Sequence, residues 1–188
     1  MNLIKLFFPS SNPHNWIETI SGKFIYPLDP DPDAIDIDDI AHALSMNCRF
    51  TGHVLRHYSV CEHSFYVSEL CKPEHKLWGL LHDASEAYLS DIASPVKKSK
   101  NFFFYRRVEK RLQDCIYKKF GLLGNLPPEV KEIDWRMCCT EHKHLMNKSK
   151  RLWDNYKPYA DFHITLREQS PMLNKEFFLA LFRDLYEG

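Results

Sequence analysis

Apolar residues recur at three- and four-residue spacings along most of this chain, the period of one helix face. The pattern predicts helices over about 37–47, 59–71, 74–90, 101–120, 127–147 and 173–186. Pro73, Pro95, Pro127-Pro128 and Pro171 fall at the breaks between these runs, where a residue without an N–H does least harm. Only "WIETISGKFIYPL" (16–28) alternates differently, with two short β-prone runs around Ser21-Gly22 that predict a hairpin. "DPDPDAIDIDD" follows, with six aspartates and no basic residue. It lacks the spacing and glycine of an EF-hand and predicts a Pro-rich loop whose last aspartates cap the helix starting near Ile37. The expected class is an all-α bundle with a small N-terminal β-hairpin.

Length and composition add limits. A chain of 188 residues supports one domain with a substantial core, expected over 1–188 and centred on about 37–147. Formal net charge is zero, which gives no global pull toward a nucleic-acid polymer or a membrane surface. No stretch reaches the ~18 consecutive apolar residues of a membrane span. "LIKLFF" is too short for a signal core, so a cytoplasmic protein is expected. The six cysteines form no CxxC pair and read as reduced thiols. "CCTEHKH" (138–144) lacks the two spaced pairs that structural zinc requires. Residues 97–119 carry nine Lys/Arg against two acids, interleaved with apolar positions as on a solvated helix face. "RLWDNYKPYADFHITLREQSP" (151–171) reads as an aromatic-rich wrapping segment or lid.

Candidate chemistry enters where polar residues interrupt the apolar stripes. On the 59–71 helix, Val60, His63, Val67 and Leu70 share a stripe, so His63 points inward. On the next helix, Leu77, Leu81, Ala84 and Tyr88 mark the buried face, and His82 and Asp83 border it. A lone inward histidine is more often a satisfied core residue than a ligand. Burying an ionised aspartate without a partner is costly, and a shared divalent cation would remove that cost. Asp134, in register with Val130, Met137 and Cys138, is the natural fourth ligand. Imidazoles with carboxylates suit one borderline transition metal: Mn, Fe, Co, Ni or Zn.

The order H…HD…D across successive helices, followed by "HDASEAYLSDIASPVK", resembles the HD-domain metal-dependent phosphohydrolases. Within them the chain is most similar to the small 5′-deoxyribonucleotidase branch (YfbR-like), and also to the compact deoxynucleoside triphosphate triphosphohydrolases of some phages. The matching stretch is about 48–97, with a weaker match through Asp134. The resemblance implies His63, His82, Asp83 and Asp134 as metal ligands and Glu86 and Asp91 as catalytic acids. By the same resemblance "RFTG" matches the family's phosphate-binding arginine at Arg49, with an aromatic neighbour at Phe50. There is no second ligand set, so a dinuclear site is not expected.

Residue chemistry agrees. Glu86 stands three residues after Asp83 and shares its helical face, where a carboxylate can take a proton from a metal-activated water. Asp91 could orient that water or protonate the leaving alkoxide. Arg49 offers a planar fork for phosphate oxygens. Lys97 could add a positive point charge or simply face solvent. Arg56, His57 and Glu62 lie close by and suit a structural salt bridge or cap. The expected function is hydrolysis of 5′-deoxyribonucleoside monophosphates. Two alternatives stand beside it: release of triphosphate from dNTPs, slightly favoured by the basic 97–111 stretch, and a non-catalytic metal-containing binding module. The expected partner is a nucleotide substrate, with self-association left open.

Overall fold

The computed structural model describes residues 15–146, 157–159, 162–164 and 169–187. "LIKLFF" and most of the 151–171 segment lie outside the described residues. The rest is mostly helical, with one two-stranded antiparallel hairpin near the N-terminus. Its strands, β1 (Ile17–Glu18) and β2 (Phe24–Ile25), pair Ile17 with Ile25 across a turn in which Gly22 takes a φ of 80°.

The aspartate-rich loop caps and pins, as its composition suggests. Asp31 caps a short 3-10 turn at Pro32–Ala34, and Asp36 caps α1 (Ile37–Met46) by accepting from the Asp38 N–H. Asp39 accepts from the backbone N–H and hydroxyl of Ser21, at 3.0 and 2.7 Å, which fastens the hairpin onto α1.

α2 (Val60–Leu70) is the central helix. Ser59 caps it, and Val60, Cys61, His63 and Val67 are fully buried where α1 and the helices at Lys76–Leu81, Pro128–Leu145 and Pro171–Glu187 pack around it. α3 (Lys76–Leu81) crosses it closely at Gly79. A Cβ there would meet Cys71 Sγ at 2.9 Å and Ser68 Cα at 3.0 Å, so only glycine permits this approach.

Here the structure corrects the sequence reading. The single helix expected over 74–90 is α3, a four-residue turn at 82–85 and the short α4 (Glu86–Leu89). The cause is Gln113, on α6 (Phe103–Lys119). Its amide nitrogen donates to the Leu81 carbonyl at 2.7 Å, and its amide oxygen accepts from the Ser85 N–H at 2.8 Å. An uninterrupted α-helix would have bonded those two backbone groups to each other. The inserted side chain satisfies both and tightens the turn to three-residue bonds, Ala84 to Leu81 and Glu86 to Asp83. His82 and Asp83 stand in that turn.

Of the remaining helices, the turn at Ser94–Lys97 has no counterpart in the predicted set, and the other three lie within a few residues of their predicted ranges. α5 (Ser94–Lys97) is a single turn; α6 buries Val108, Leu112, Ile116 and Tyr117. α7 (Pro128–Leu145) begins on a proline, where the missing N–H is harmless, and buries Val130, Ile133 and Met137. α8 (Pro171–Glu187) adds Phe178, Leu179 and Phe182, so the core extends past residue 147. Among the described residues no helix is long and apolar enough to cross a membrane. The six cysteines form no disulfide.

Candidate metal centre

Three helical elements bring four ligand atoms together. His63 comes from α2, His82 and Asp83 from the interrupted turn, and Asp134 from the second turn of α7. One atom from each lies within 4.8 Å of the others, a grouping that could hold a metal ion. His63 Nε2 is 3.2 Å from His82 Nε2 and 3.1 Å from Asp134 Oδ1. His82 Nε2 is 3.2 Å from Asp83 Oδ2.

The opposite ring nitrogens explain why these atoms suit a cation. His82 Nδ1 is 2.7 Å from the Gly79 carbonyl, which can only accept, so Nδ1 carries the proton. His63 Nδ1 is 2.5 Å from Glu141 Oε1, inside a fully buried pocket. Glu141 also accepts from the Tyr58 hydroxyl at 2.9 Å and from Arg49 Nε at 3.1 Å. Burial opposes its ionisation, but the Arg49 and His63 charges outweigh that and hold its carboxyl below the usual range. His63 Nδ1 therefore also donates. With both imidazoles neutral, two Nε2 lone pairs and two carboxylate oxygens converge with no donor among them. Such a group needs a proton or a cation at its centre.

Titration reflects that need. Burial opposes charging of His82, yet Asp83 and Asp134 raise it well above the ordinary imidazole range. Burial pushes Asp83 up, and the His82 charge overcomes this and brings it down to about 2. In metal-free protein the raised histidine stabilises the fold fully below its unfolded value of about 6.5 and loses this as pH rises through its folded value. The depressed Asp83 contributes fully above about 4 and loses its share as pH falls toward 2. A bound cation needs both Nε2 atoms free of protons, so its contribution grows with pH. The difference in melting temperature between Mn-loaded and chelator-treated protein should therefore widen from pH 6 to pH 8. A constant or shrinking difference would contradict a cation at these four residues.

Around the cluster, the structure places the other sequence-derived candidates unequally. Arg49 is buried, bound to Glu141 through Nε and Nη2, with Nη1 3.6 Å from Asp83 Oδ2. It opens a left-handed turn, "RFTG", in which Phe50 and Thr51 have φ of 54° and 55°. Such conformations cost about 1–3 kcal/mol each and persist only where surroundings enforce them. The half-buried Phe50 ring lies 5.5 Å from the Arg49 guanidinium. Glu86 is buried: Oε1 is 3.3 Å from Lys97 Nζ, and Oε2 has no hydrogen-bond partner among the described residues. Burial first, then Asp83 and Asp91, raise its carboxyl well above the usual range. Asp91 is half-buried just past α4, where Ser90 turns the chain at a φ of 64°. Lys97 does not simply face solvent; it bridges Glu86 and, at 2.6 Å, Glu109. Arg56 and Glu62 form a buried two-pronged pair at 2.7 and 3.0 Å, a structural salt bridge.

Glu141 was not foreseen. Its signal was its position two helical turns after Asp134, on the same face. In the sequence it stands inside "CCTEHKH", where the neighbouring Cys and His are the residues with the more familiar metal chemistry.

A cleft of about 650 Å³ opens beside His82 and Asp83, lined also by Lys97, Arg106, Lys110 and Lys131. Two of these four cations are already matched, Lys97 by Glu86 and Glu109 and Lys110 by Asp114.

No protein-family model matches the chain. It is 37% identical over 139 residues to the uncharacterized protein YfdR of Escherichia coli (strain K12), across 74% of this chain and 77% of that one. It is also 37% identical over 125 residues to the uncharacterized protein RCAP_rcc00048 of Rhodobacter capsulatus, across 62% of this chain and 63% of that one. The extent and identity of the first match mean that the chain belongs to the same family as YfdR.

Proposed function

We propose that this protein is a metal-dependent phosphohydrolase with a single HD-type domain over 1–188, acting on 5′-deoxyribonucleoside monophosphates. The carrying observation is the convergence of His63, His82, Asp83 and Asp134 with both imidazole Nδ1 atoms anchored and both Nε2 atoms facing inward. A divalent cation held there supplies Lewis acidity, polarising a phosphoryl oxygen and acidifying water.

The chain's own groups do the rest. Glu86 offers an unpartnered Oε2 as proton acceptor, and Lys97 holds the other oxygen. Asp91, the second acid beyond the turn, orients water or returns a proton to the leaving alkoxide. Arg49 keeps donors beyond those used by Glu141, enough to grip a phosphate from the Asp83 side. Phe50 offers a ring face to sugar or base.

The cleft beside His82 and Asp83 favours a second reading, dNTP triphosphohydrolysis, because it gives a longer anionic tail somewhere to lie. Two of its four cations, Lys97 and Lys110, are already paired with acids, which supports the monophosphate. A metal-containing binding module without catalysis is a third reading, and it gives no reason for a buried, half-satisfied Glu86.

One assay separates them. Mn- or Co-loaded protein is incubated with dNMPs and dNTPs, and the released species is identified. Inorganic phosphate from dNMPs is expected. Triphosphate from dNTPs would install the second reading, and no release from either would install the third.

A further inference from the structure

Glu141 stands outside the four-ligand grouping and joins one of its histidines, His63, to the neighbouring Arg49. Its side chain is fully buried on α7, two turns beyond Asp134, and three side chains converge on it. The Tyr58 hydroxyl and the His63 Nδ1 both reach Oε1, at 2.9 and 2.5 Å; Arg49 Nε and Nη2 both lie 3.1 Å from Oε2. A buried carboxylate without partners would be expelled or protonated, so this full set of donors means the fold is built around its charge.

We propose that Glu141 is the positioning residue of the metal centre: its carboxylate keeps the proton on His63 Nδ1 and thereby turns a bare Nε2 toward the other three ligands. Arg49 and Tyr58 fix the carboxylate; Tyr58 reaches the cluster through Glu141, whereas Arg49 also faces Asp83 at 3.6 Å. An ionised carboxylate can only accept, which selects one of the two imidazole tautomers. An amide in its place could present its NH2 to Nδ1 and select the other, leaving a proton on Nε2 where the cation belongs. Loss of such outer partners typically weakens metal binding about 10–100-fold.

This inference rests on the cluster binding a cation, and its readouts are binding and ring protonation rather than turnover. Nitrogen NMR of the wild-type protein, metal-free and zinc-loaded, reads the two His63 ring nitrogens directly. A protonated Nδ1 in both states, with Nε2 shifted by zinc, is expected; an unprotonated Nδ1 in either state overturns the proposal and needs no variant to fold. Zinc competition against a chromophoric chelator then compares Glu141→Gln with Tyr58→Phe, which removes a different donor from the same carboxylate. Glu141→Gln should weaken zinc about 10–100-fold, while Tyr58→Phe changes it by less than about threefold. Equal zinc affinity in Glu141→Gln and wild type overturns the proposal. Wild-type protein that binds no zinc would instead defeat the metal reading, with the Nδ1 proton still judging Glu141.

Discussion

Replacing Asp83 by alanine is expected to abolish both the cation binding and the hydrolysis proposed for this site. Asp83 Oδ2 faces His82 Nε2 at 3.2 Å, His63 Nε2 at 3.8 Å and Arg49 Nη1 at 3.6 Å, so one carboxylate answers three potential positive charges. Its removal deletes an anionic ligand and leaves the two imidazoles and the arginine with only Asp134 and Glu141 for balance. A cation would then enter a site already richer in positive charge. The loss in metal affinity should exceed the roughly 100-fold typical of an outer partner. Asp83→Asn keeps the shape and removes only the charge, so it should behave almost as badly. Elemental analysis of the purified variants, with turnover on a dNMP, decides the matter. Full metal occupancy with normal turnover would sink the assignment.

Glu86→Gln should do the reverse, keeping metal and losing catalysis. Glu86 is absent from the four-atom grouping, and its ties run to Lys97. Burial and the nearby Asp83 and Asp91 charges make its ionised form costly, so its carboxyl stands raised in the metal-free protein. A cation at the neighbouring cluster would offset the Asp83 charge and draw that value back toward the working pH, where a general base is most effective. Turnover should fall about 10²–10⁴-fold, the usual share of a positioned acid or base. The rising limb of the pH–rate profile should vanish with it. Melting temperature should hold or rise, because a neutral amide is easier to bury than a carboxylate. A variant with lost metal, or with turnover within about threefold of wild type, would move the base elsewhere. Asp91 is then next in line, since Glu62 is committed to Arg56.

The contrast between these two variants follows from where the side chains sit. Asp83 stands in the turn that Gln113 holds open, and Glu86 begins the helix beyond it. Three-residue bonding through this turn nearly eclipses the two positions. The carboxylate of a proposed ligand and that of the proposed base thus project on one side without sharing a role.

Local pattern carried much of this protein. Apolar spacing placed α1, α2, α6, α7 and α8 within a few residues, because a helix face must repeat near 3.6 whatever it packs against. The same periodicity aimed His63 inward and set Asp134 in register with Val130 and Met137, so the four metal candidates were readable along the chain. Tertiary structure alone decided the rest. Gln113 breaks the 74–90 helix from 28 residues beyond Ser85, and no propensity within that helix announces it. Glu141 lies 92 residues from Arg49 and 78 from His63, and its charge makes sense only once all three are buried together. Lys97 passes from a solvent-facing option to a bridge because α6 brings Glu109 alongside Glu86. Secondary structure is written in neighbours along the chain. A buried charge is defined by partners the chain must first fold to meet.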